Sequence, residues 1–434
     1  MFDRELKRIL GFLLCFLLFF YGALSVSLQI FPYQFLAPVL SAADILKKSA
    51  DIDDYNQIIR WPKEAKFPSG VHVSDRIKNP EEHYLLYSST HDTSVRLLNY
   101  SGEDLHSWTI SFSDIWEDQK HIRHFSKLSD EYFYIRDFHL YENGDMLLMV
   151  SAGGVTPWGM GLVKIDKDSN LIWKYTGYPN NDFEVADDGK IYVIDHLIRE
   201  NSTESFEIEV LPFLEDNILV LNEDGGFVKR ISIIDAIDQS TYSDTLKQIP
   251  YSHQGDPTHS NSVKVIKKDI RSIPWMRRGN LVISVRNINV MVVIDPVSEK
   301  LVYAAPLKAR MQHDIDVLGN GNLLVFDNQG SLTTGGYSRV FEFHPETQEI
   351  VWSYDPVGSE IEFESEFWGM QQRLDNGNTV IVNADSGQIL EVNRNQEIVW
   401  DYRVPLLQPE DGIDYRAVVT TAEKVNGSRL EFLN

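Results

Sequence analysis

The sequence predicts an all-β protein, a six-bladed β-propeller preceded by one N-terminal transmembrane helix. Three observations predict it. A short frame ending in a glycine turn recurs along the chain, a strand–turn–strand motif usually with an aromatic end follows each copy, and Ile9 to Ile30 carries no charge.

The frame is clearest from Gln312 to Asn328, where His313 opens a strand, Asn320-Gly321 supplies a hairpin turn and Leu323-Leu324-Val325-Phe326 returns. It recurs from Arg136 to Gly144, Asn181 to Gly189 and Gly369 to Gly377. Position one of the frame is therefore Arg136, Asn181, His313 and Gly369. A further copy opens at His259 and reaches its glycine, Gly279, only after an insertion. On this alignment His259 and His313 share one blade position.

The second motif runs from Val95 to Trp108, Leu162 to Tyr175, Ile218 to Ile231, Val292 to Tyr303, Val340 to Tyr354 and Ile389 to Tyr402. Units of several strands repeating every roughly 45 to 55 residues are the signature of propeller blades. One such sheet cannot bury its apolar face alone, so the ring must close by blade-on-blade packing. A two-sheet sandwich has no need of near-equal units.

In chain order, residues 1–8 are a cytoplasmic tail, 9–30 a signal-anchor, 31–80 a linker and lead-in, and 81–434 the propeller. The apolar run is long enough to span a bilayer. Arg4, Lys7 and Arg8 precede it, which keeps that end cytoplasmic and exports the rest to the periplasm or cell exterior from a single-pass anchor in the cytoplasmic membrane. A cleaved signal peptide, with small residues between Ala37 and Ala43, is the alternative, but the apolar stretch exceeds a signal core. Phe31, Tyr33 and Phe35 suit the outer interface. The one cysteine, Cys15, lies within the run, so the exported part has neither a disulfide nor a cysteine site.

Between the anchor and the first blade the chain is acidic at Asp51, Asp53 and Asp54 and broken by Pro62, Pro68 and Pro80. The first blade begins near His83. The region from Ile198 to Gln254 departs most from the repeat. Within it, Asp235 to Tyr251 reads as a short helix plus loop, either a lid over the channel or a packing decoration.

A hydrophobic content of 43% is ordinary for a globular chain, and a net charge of −24 excludes nucleic acid as a partner. The same charge opposes steering of an anionic substrate, so an anion site must rest on local Arg and His.

Of the twelve histidines, His72, His83, His91, His106, His121, His124 and His344 fall in turns or at strand edges with no partner motif. His313 and His259 differ, because equivalent positions in different blades converge on one end of the channel. There two imidazoles suit a nucleophile and an acid or base; the plainer alternative is that each bonds a neighbouring blade's backbone. Arg286 closes an otherwise apolar strand, Leu281 to Val285, and Arg136 holds position one of its own frame. Two guanidiniums and two imidazoles facing one channel suit sulfate, phosphate or carboxylate.

Asp256-Pro257-Thr258-His259-Ser260-Asn261-Ser262, Ile283-Ser284-Val285-Arg286, Gln312-His313-Asp314 and the closing Gly369-Met370-Gln371-Gln372-Arg373 segment resemble the bacterial arylsulfotransferase family over roughly residues 80 to 420. The resemblance implies an exported six-bladed propeller that moves a sulfuryl group from an aryl sulfate ester to a phenol through a sulfohistidine, with no nucleotide donor, cofactor or metal. It puts the sulfated histidine at His313, the assisting one at His259, the sulfuryl-binding arginine at Arg286 and a substrate contact at Asn261.

A further histidine, expected from an earlier blade, is replaced by Arg136, which can bind a sulfuryl oxygen but cannot shuttle a proton. His139 lies three residues on, an odd offset that turns it away unless a bulge intervenes. The competing reading is a non-catalytic anchored propeller that binds an anionic or aromatic ligand or a partner protein. A quinone-dependent dehydrogenase would want eight blades and a calcium-ligand cluster. Asp137, Asp182 and Asp314 recur at one frame position as structural residues would.

Overall fold

The computed structural model describes residues 2–27, 60–74, 83–124, 126–330, 337–356 and 363–433. Phe31, Tyr33, Phe35, the Ala37 to Ala43 stretch, Asp51 to Asp54 and Pro80 lie outside them. The chain divides into two compact units, Met1–Tyr55 and Asn56–Asn434. In the first, Phe2–Ser27 is a helix whose Leu6–Ser25 portion is, among the described residues, the one helix long and apolar enough to cross a membrane.

The second unit is a propeller. Among the described residues six antiparallel sheets follow one another around it, each built on a meander of four strands. The second blade, for instance, is Phe133–Leu140, Met146–Ala152, Gly159–Ile165 and Leu171–Tyr175. Innermost strands touch in sequence: Phe133–Leu140, Pro179–Val185, Ser260–Val265, His313–Val317, Met370–Arg373 and Val419–Val425, which returns to Phe133–Leu140.

The ring is closed by exchange of the ends. The C-terminal strand Val419–Val425 is the inner strand of the first blade and pairs with Tyr84–Ser89. At the other end, Gly70–Val73 from the lead-in adds a fifth, outermost strand to the last blade along Ile398–Arg403. Thus part of the expected linker is paired into the sheets. A side sheet of Lys63–Glu64, Leu407–Glu410 and Ile413–Arg416 completes the seam.

Two repeated devices join the blades, and both explain the sequence repeats. Asp137 accepts the Phe183 N–H at 3.4 Å, Asp182 that of Val263 at 2.8 Å, Ser262 that of Ile315 at 2.9 Å and Asp314 that of Gln371 at 3.0 Å. Each is the second residue of its frame, reaching to the same backbone position of the next inner strand. The recurring aspartates are structural, as their spacing implied. On the outside, the indoles of Trp108, Trp173, Trp352 and Trp400 donate to carbonyls of Gly144, Glu223, Arg394 and Tyr100 in the following blade. Apolar clusters fill the wedges between sheets, such as that of Ile283, Val292, Ile218 and Val220 between the third and fourth blades.

The frame turn is one structure repeated. The N–H of Gly144, Gly189, Gly321 and Gly377 each donates to the carbonyl three residues earlier, and Gly321 has φ 90°. Only glycine adopts that conformation without strain.

The departure from the repeat resolves into two loops. One, residues 200–212, joins the second and third strands of blade three; the other, residues 233–259, joins blade three to blade four. Because a meander alternates direction, both kinds of connection fall at the end of the ring where inner strands begin. The helix is Ile233–Asp238, shorter and earlier than expected, and 3-10 turns at Ser243–Gln248 and Tyr251–His253 follow it. Its Ile233, Ile234 and Ile237 are buried in the wedge between blades three and four, so that part packs rather than covers.

Candidate active site

Inner strands bring their first residues to one end of the shaft. Arg136, Asn181, Asn261, His313, Gly369 and Thr420 line a cavity of about 50 Å³ together with the staple residues below them. At Gly369 a Cβ would lie 2.4 Å from the Phe326 ring, so the frame tolerates no side chain there.

The register corrects one expectation. Val263 pairs with Ile283 as Ile315 pairs with Val325, which puts Asn261, not His259, in the frame position of His313. His259 lies two residues earlier, on the loop entering the strand, with φ 44°. Each of these inner strands carries a bulge: pairing shifts between Ser260 and Ser262, between His313 and Ile315 and between Ile135 and Asp137. The extra residue is Arg136 in blade two, Asn261 in blade four and Asp314 in blade five.

His313 is 4% exposed. Its Nδ1 is 2.8 Å from Asn328 Oδ1 and 3.2 Å from the Met311 carbonyl. Asn328 cannot be turned over, because its amide donates to the carbonyls of Ser365 at 2.9 Å and Trp368 at 2.7 Å. Facing two acceptors, Nδ1 must carry the proton, which leaves the lone pair on Nε2. Burial, Arg286, Arg136 and His259 together push its pKa well below the ordinary imidazole value against the opposing Asn328 bond. The ring is neutral at neutral pH, the form that is nucleophilic.

Arg286 opens a 3-10 turn, Arg286–Ile288, one residue past the strand Leu281–Val285. Its backbone N–H donates to the His259 carbonyl at 3.4 Å and its Nη1 to Asn287 Oδ1 at 3.1 Å, while Nε is buried with no protein partner. Burial lowers its pKa, opposed by Asp256 and Glu366. Arg136 lies 4.1 Å over the Trp368 ring and donates to Asn181 Oδ1 at 3.4 Å. Asn261 donates to the Gln312 carbonyl at 2.7 Å, and its own Oδ1 is buried without a partner.

His259 Nδ1 is 2.5 Å from Asp256 Oδ2. Asn287 Nδ2 holds the Asp256 carbonyl at 2.7 Å. Beneath them, fully buried Asp216 accepts Thr258 Oγ1 at 2.6 Å and the Ser260 N–H at 2.5 Å, and lies 2.9 Å from His196 Nε2. Burial opposes both charges, yet each partner holds the other ionised: the His196 pKa is raised and that of Asp216 lowered. Asn328, Asp256, His196 and Asp216 were missed by sequence reasoning. Only Asp256, three residues before His259, left a local signal.

His139 is on the channel wall after all, since the bulge at Arg136 intervenes. It lines the opposite mouth, a cavity of about 620 Å³, with Glu184, Lys264 and Gln372, so it does not stand in for the missing histidine. Between the two ends Lys264 lies 3.1 Å from Asp182 and 3.3 Å from Asp314. Burial opposes its charge, but these carboxylates hold the ammonium well above its ordinary range.

Of the histidines set aside in the sequence, His106 and His121 bond the carbonyls of Lys167 and Met160. Among the described residues no cluster of three or more His, Cys, Asp or Glu is arranged to hold a metal ion.

The family model described as Arylsulfotransferase (ASST) matches residues 137–404, more than half of the chain. No curated protein matches. Similar solved structures include a protein of unknown function from Bacteroides caccae (13% identity over 80% of this chain and 99% of that one, TM-score 0.48). Others are the WD40 β-propeller domain of Doa1 (10%, 83% and 99%, TM-score 0.43) and streptogramin B lyase (12%, 85% and 96%, TM-score 0.43). The fold rests on the strand pairing itself.

Proposed function

The chain belongs to the arylsulfotransferase family, and from that premise we propose that it moves a sulfuryl group from an aryl sulfate ester to a phenolic acceptor by way of His313. One observation carries the reading: His313 presents an unprotonated Nε2 in a buried site where the guanidiniums of Arg286 and Arg136 act on it.

In the first step Nε2 of His313 attacks sulfur, so the N–S bond forms while the bond from sulfur to the aryl oxygen breaks. The aryloxide takes a proton from Nε2 of His259, whose Nδ1 lies 2.5 Å from the Asp256 carboxylate. Arg286, through the Nε that no protein group occupies, and Arg136 hold the sulfuryl oxygens as charge redistributes. Asn261 offers its unpartnered Oδ1 to the acceptor hydroxyl. In the second step the acceptor phenol returns a proton to His259, its oxygen bonds to sulfur and the N–S bond breaks. Phenolate is a tolerable leaving group, which is why so few groups suffice.

The same reading makes the apolar segment that starts at Ile9 an anchor that leaves residues 1–8 in the cytoplasm and the propeller outside the cytoplasmic membrane; basic Lys7 and Arg8 just before it support that orientation.

The test is intact-protein mass spectrometry after mixing with a chromogenic aryl sulfate without acceptor, at neutral to alkaline pH because an N-sulfate is acid-labile. A sulfuryl adduct is expected, lost in His313→Ala and on adding a phenol. One observation favours a second reading, a propeller that binds an anionic or aromatic ligand without turnover: arginine stands where the resemblance expects a proton-shuttling histidine, and it is engaged by Asn181 and Trp368. No adduct and no released phenol from folded protein across several donors would select it.

A further inference from the structure

Trp158 is used by none of the chemistry above, yet its ring lies 5.6 Å from that of His259 at an interplanar angle of 33°. It ends the loop between the strands Met146–Ala152 and Gly159–Ile165, on the His313 end of the ring. The indole is only partly buried. Its position is nonetheless fixed. The Trp158 carbonyl accepts the Ala152 N–H at 2.9 Å. Next to it, Gly159 runs so close to blade three that a Cβ there would lie 2.0 Å from the Pro179 carbonyl oxygen.

The indole also makes a near-perpendicular contact with the buried His196 ring at 4.9 Å. His196 is tied to Asp216, and Asp216 accepts the Thr258 hydroxyl and the Ser260 N–H on either side of His259. Trp158 and His259 are therefore set by one buried frame. Val210 and Leu211, 37% and 46% exposed, lie on the loop whose Glu209 N–H bonds Gln254 and whose Leu214 N–H bonds the Gly255 carbonyl.

We propose that Trp158 is the stacking platform of an aryl subsite, taking the aromatic ring of an aryl sulfate or phenol against its indole face. The placement rests on the sulfuryl-transfer reading, in which the departing oxygen must come within hydrogen-bond reach of His259. The ring carrying that oxygen then lies within about one ring width of His259, where the indole is. Aromatic pairs are favourable at centroid separations of about 4.5 to 7 Å. An aliphatic chain in the same place would gain the area but not the stacking.

The test is calorimetric titration of the full-length protein in detergent with 2-naphthalenesulfonate, whose C–S bond makes it an inert mimic, against hexanesulfonate as the non-aromatic control. Wild type, Trp158→Ala and Trp158→Phe are compared after thermal melts show each folded. We expect Trp158→Ala to weaken naphthalenesulfonate at least tenfold and hexanesulfonate by less than about threefold, and Trp158→Phe to stay within about threefold of wild type for both. Equal naphthalenesulfonate affinity in wild type and Trp158→Ala, or no binding to wild type, overturns the subsite. Because the probe cannot react, Trp158-dependent binding without any sulfuryl adduct would keep the subsite and discard the transfer reading.

Discussion

Oδ1 of Asn328 lies 2.8 Å from Nδ1 of His313, and both amide hydrogens of Asn328 are committed to the carbonyls of Ser365 and Trp368. The asparagine is thereby locked as an acceptor, and the imidazole is locked with its lone pair on Nε2. Fifteen positions apart in sequence, the two residues flank one hairpin, His313–Val317 and Leu323–Asp327.

Asn328 therefore sets the tautomer. Asn328→Ala is expected to lower kcat by about tenfold to hundredfold, the value of one orienting hydrogen bond at about 1–3 kcal/mol. Asn328→Asp places a carboxylate against Nδ1 and should move the acid limb of kcat/KM to higher pH. In the wild type that limb, so far as His313 sets it, lies below the ordinary imidazole value, because the folded-state pKa is depressed. A pH–rate profile in which the aspartate variant shows no upward displacement would remove Asn328 from the mechanism.

Arg286 acts as a fork rather than a point charge. Its Nε is buried and unpartnered while Nη1 is held by Asn287. Arg286→Lys keeps the charge but not the geometry, so it should lose about 10²- to 10³-fold in kcat, as removal of an oxyanion donor does. Steady-state kinetics showing lysine equal to arginine would mean that charge alone suffices.

Asp182 holds two things at once, the Val263 N–H at 2.8 Å and Lys264 Nζ at 3.1 Å. Asp182→Ala orphans a buried N–H and strips one partner from a buried ammonium, and should cost roughly 3–5 kcal/mol. Asp182→Asn keeps an acceptor for the N–H and should cost less. Denaturant midpoints for the two variants give the order; alanine equal to asparagine would show that the lysine, not the backbone staple, dominates.

His139 predicts an acid-side loss of stability. Burial, then Arg429, Lys267 and Lys164, hold its pKa down from 6.5 to about 4. Between those values the unfolded chain binds a proton that the folded ring refuses, so stability falls as pH drops through that window and is insensitive to this group above 6.5. The loss is at most ~3 kcal/mol. His139→Gln should flatten the pH dependence of the melting temperature between pH 6.5 and 4, and an unchanged slope would locate the acid sensitivity elsewhere.

Much of the fold was legible because its repeats are forced by local physics. A glycine is required where the frame turn takes positive φ, as at Gly321. An acceptor is required where each inner strand must satisfy the next blade's N–H, hence Asp137, Asp182 and Asp314. An indole recurs at Trp108, Trp173, Trp352 and Trp400 because each reaches the neighbouring blade's backbone. His313, Arg286 and Arg136 were legible for a related reason, since charged or titratable groups were found where the pattern calls for apolar or neutral ones.

What the sequence by itself determined is the repeat, and so the propeller, the apolar N-terminal segment and the identity of the charged groups that face the shaft. Only the tertiary structure decided the register at Asn261, because the insertion before Gly279 removes the turn on which the other copies align and leaves a two-residue offset of His259 open. It alone paired His313 with Asn328, His259 with Asp256, and Trp158 with the His196–Asp216 frame. A side chain's tautomer and orientation depend on which acceptors lie within about 3 Å of it, and ring closure brings those acceptors from strands and loops far apart in the chain.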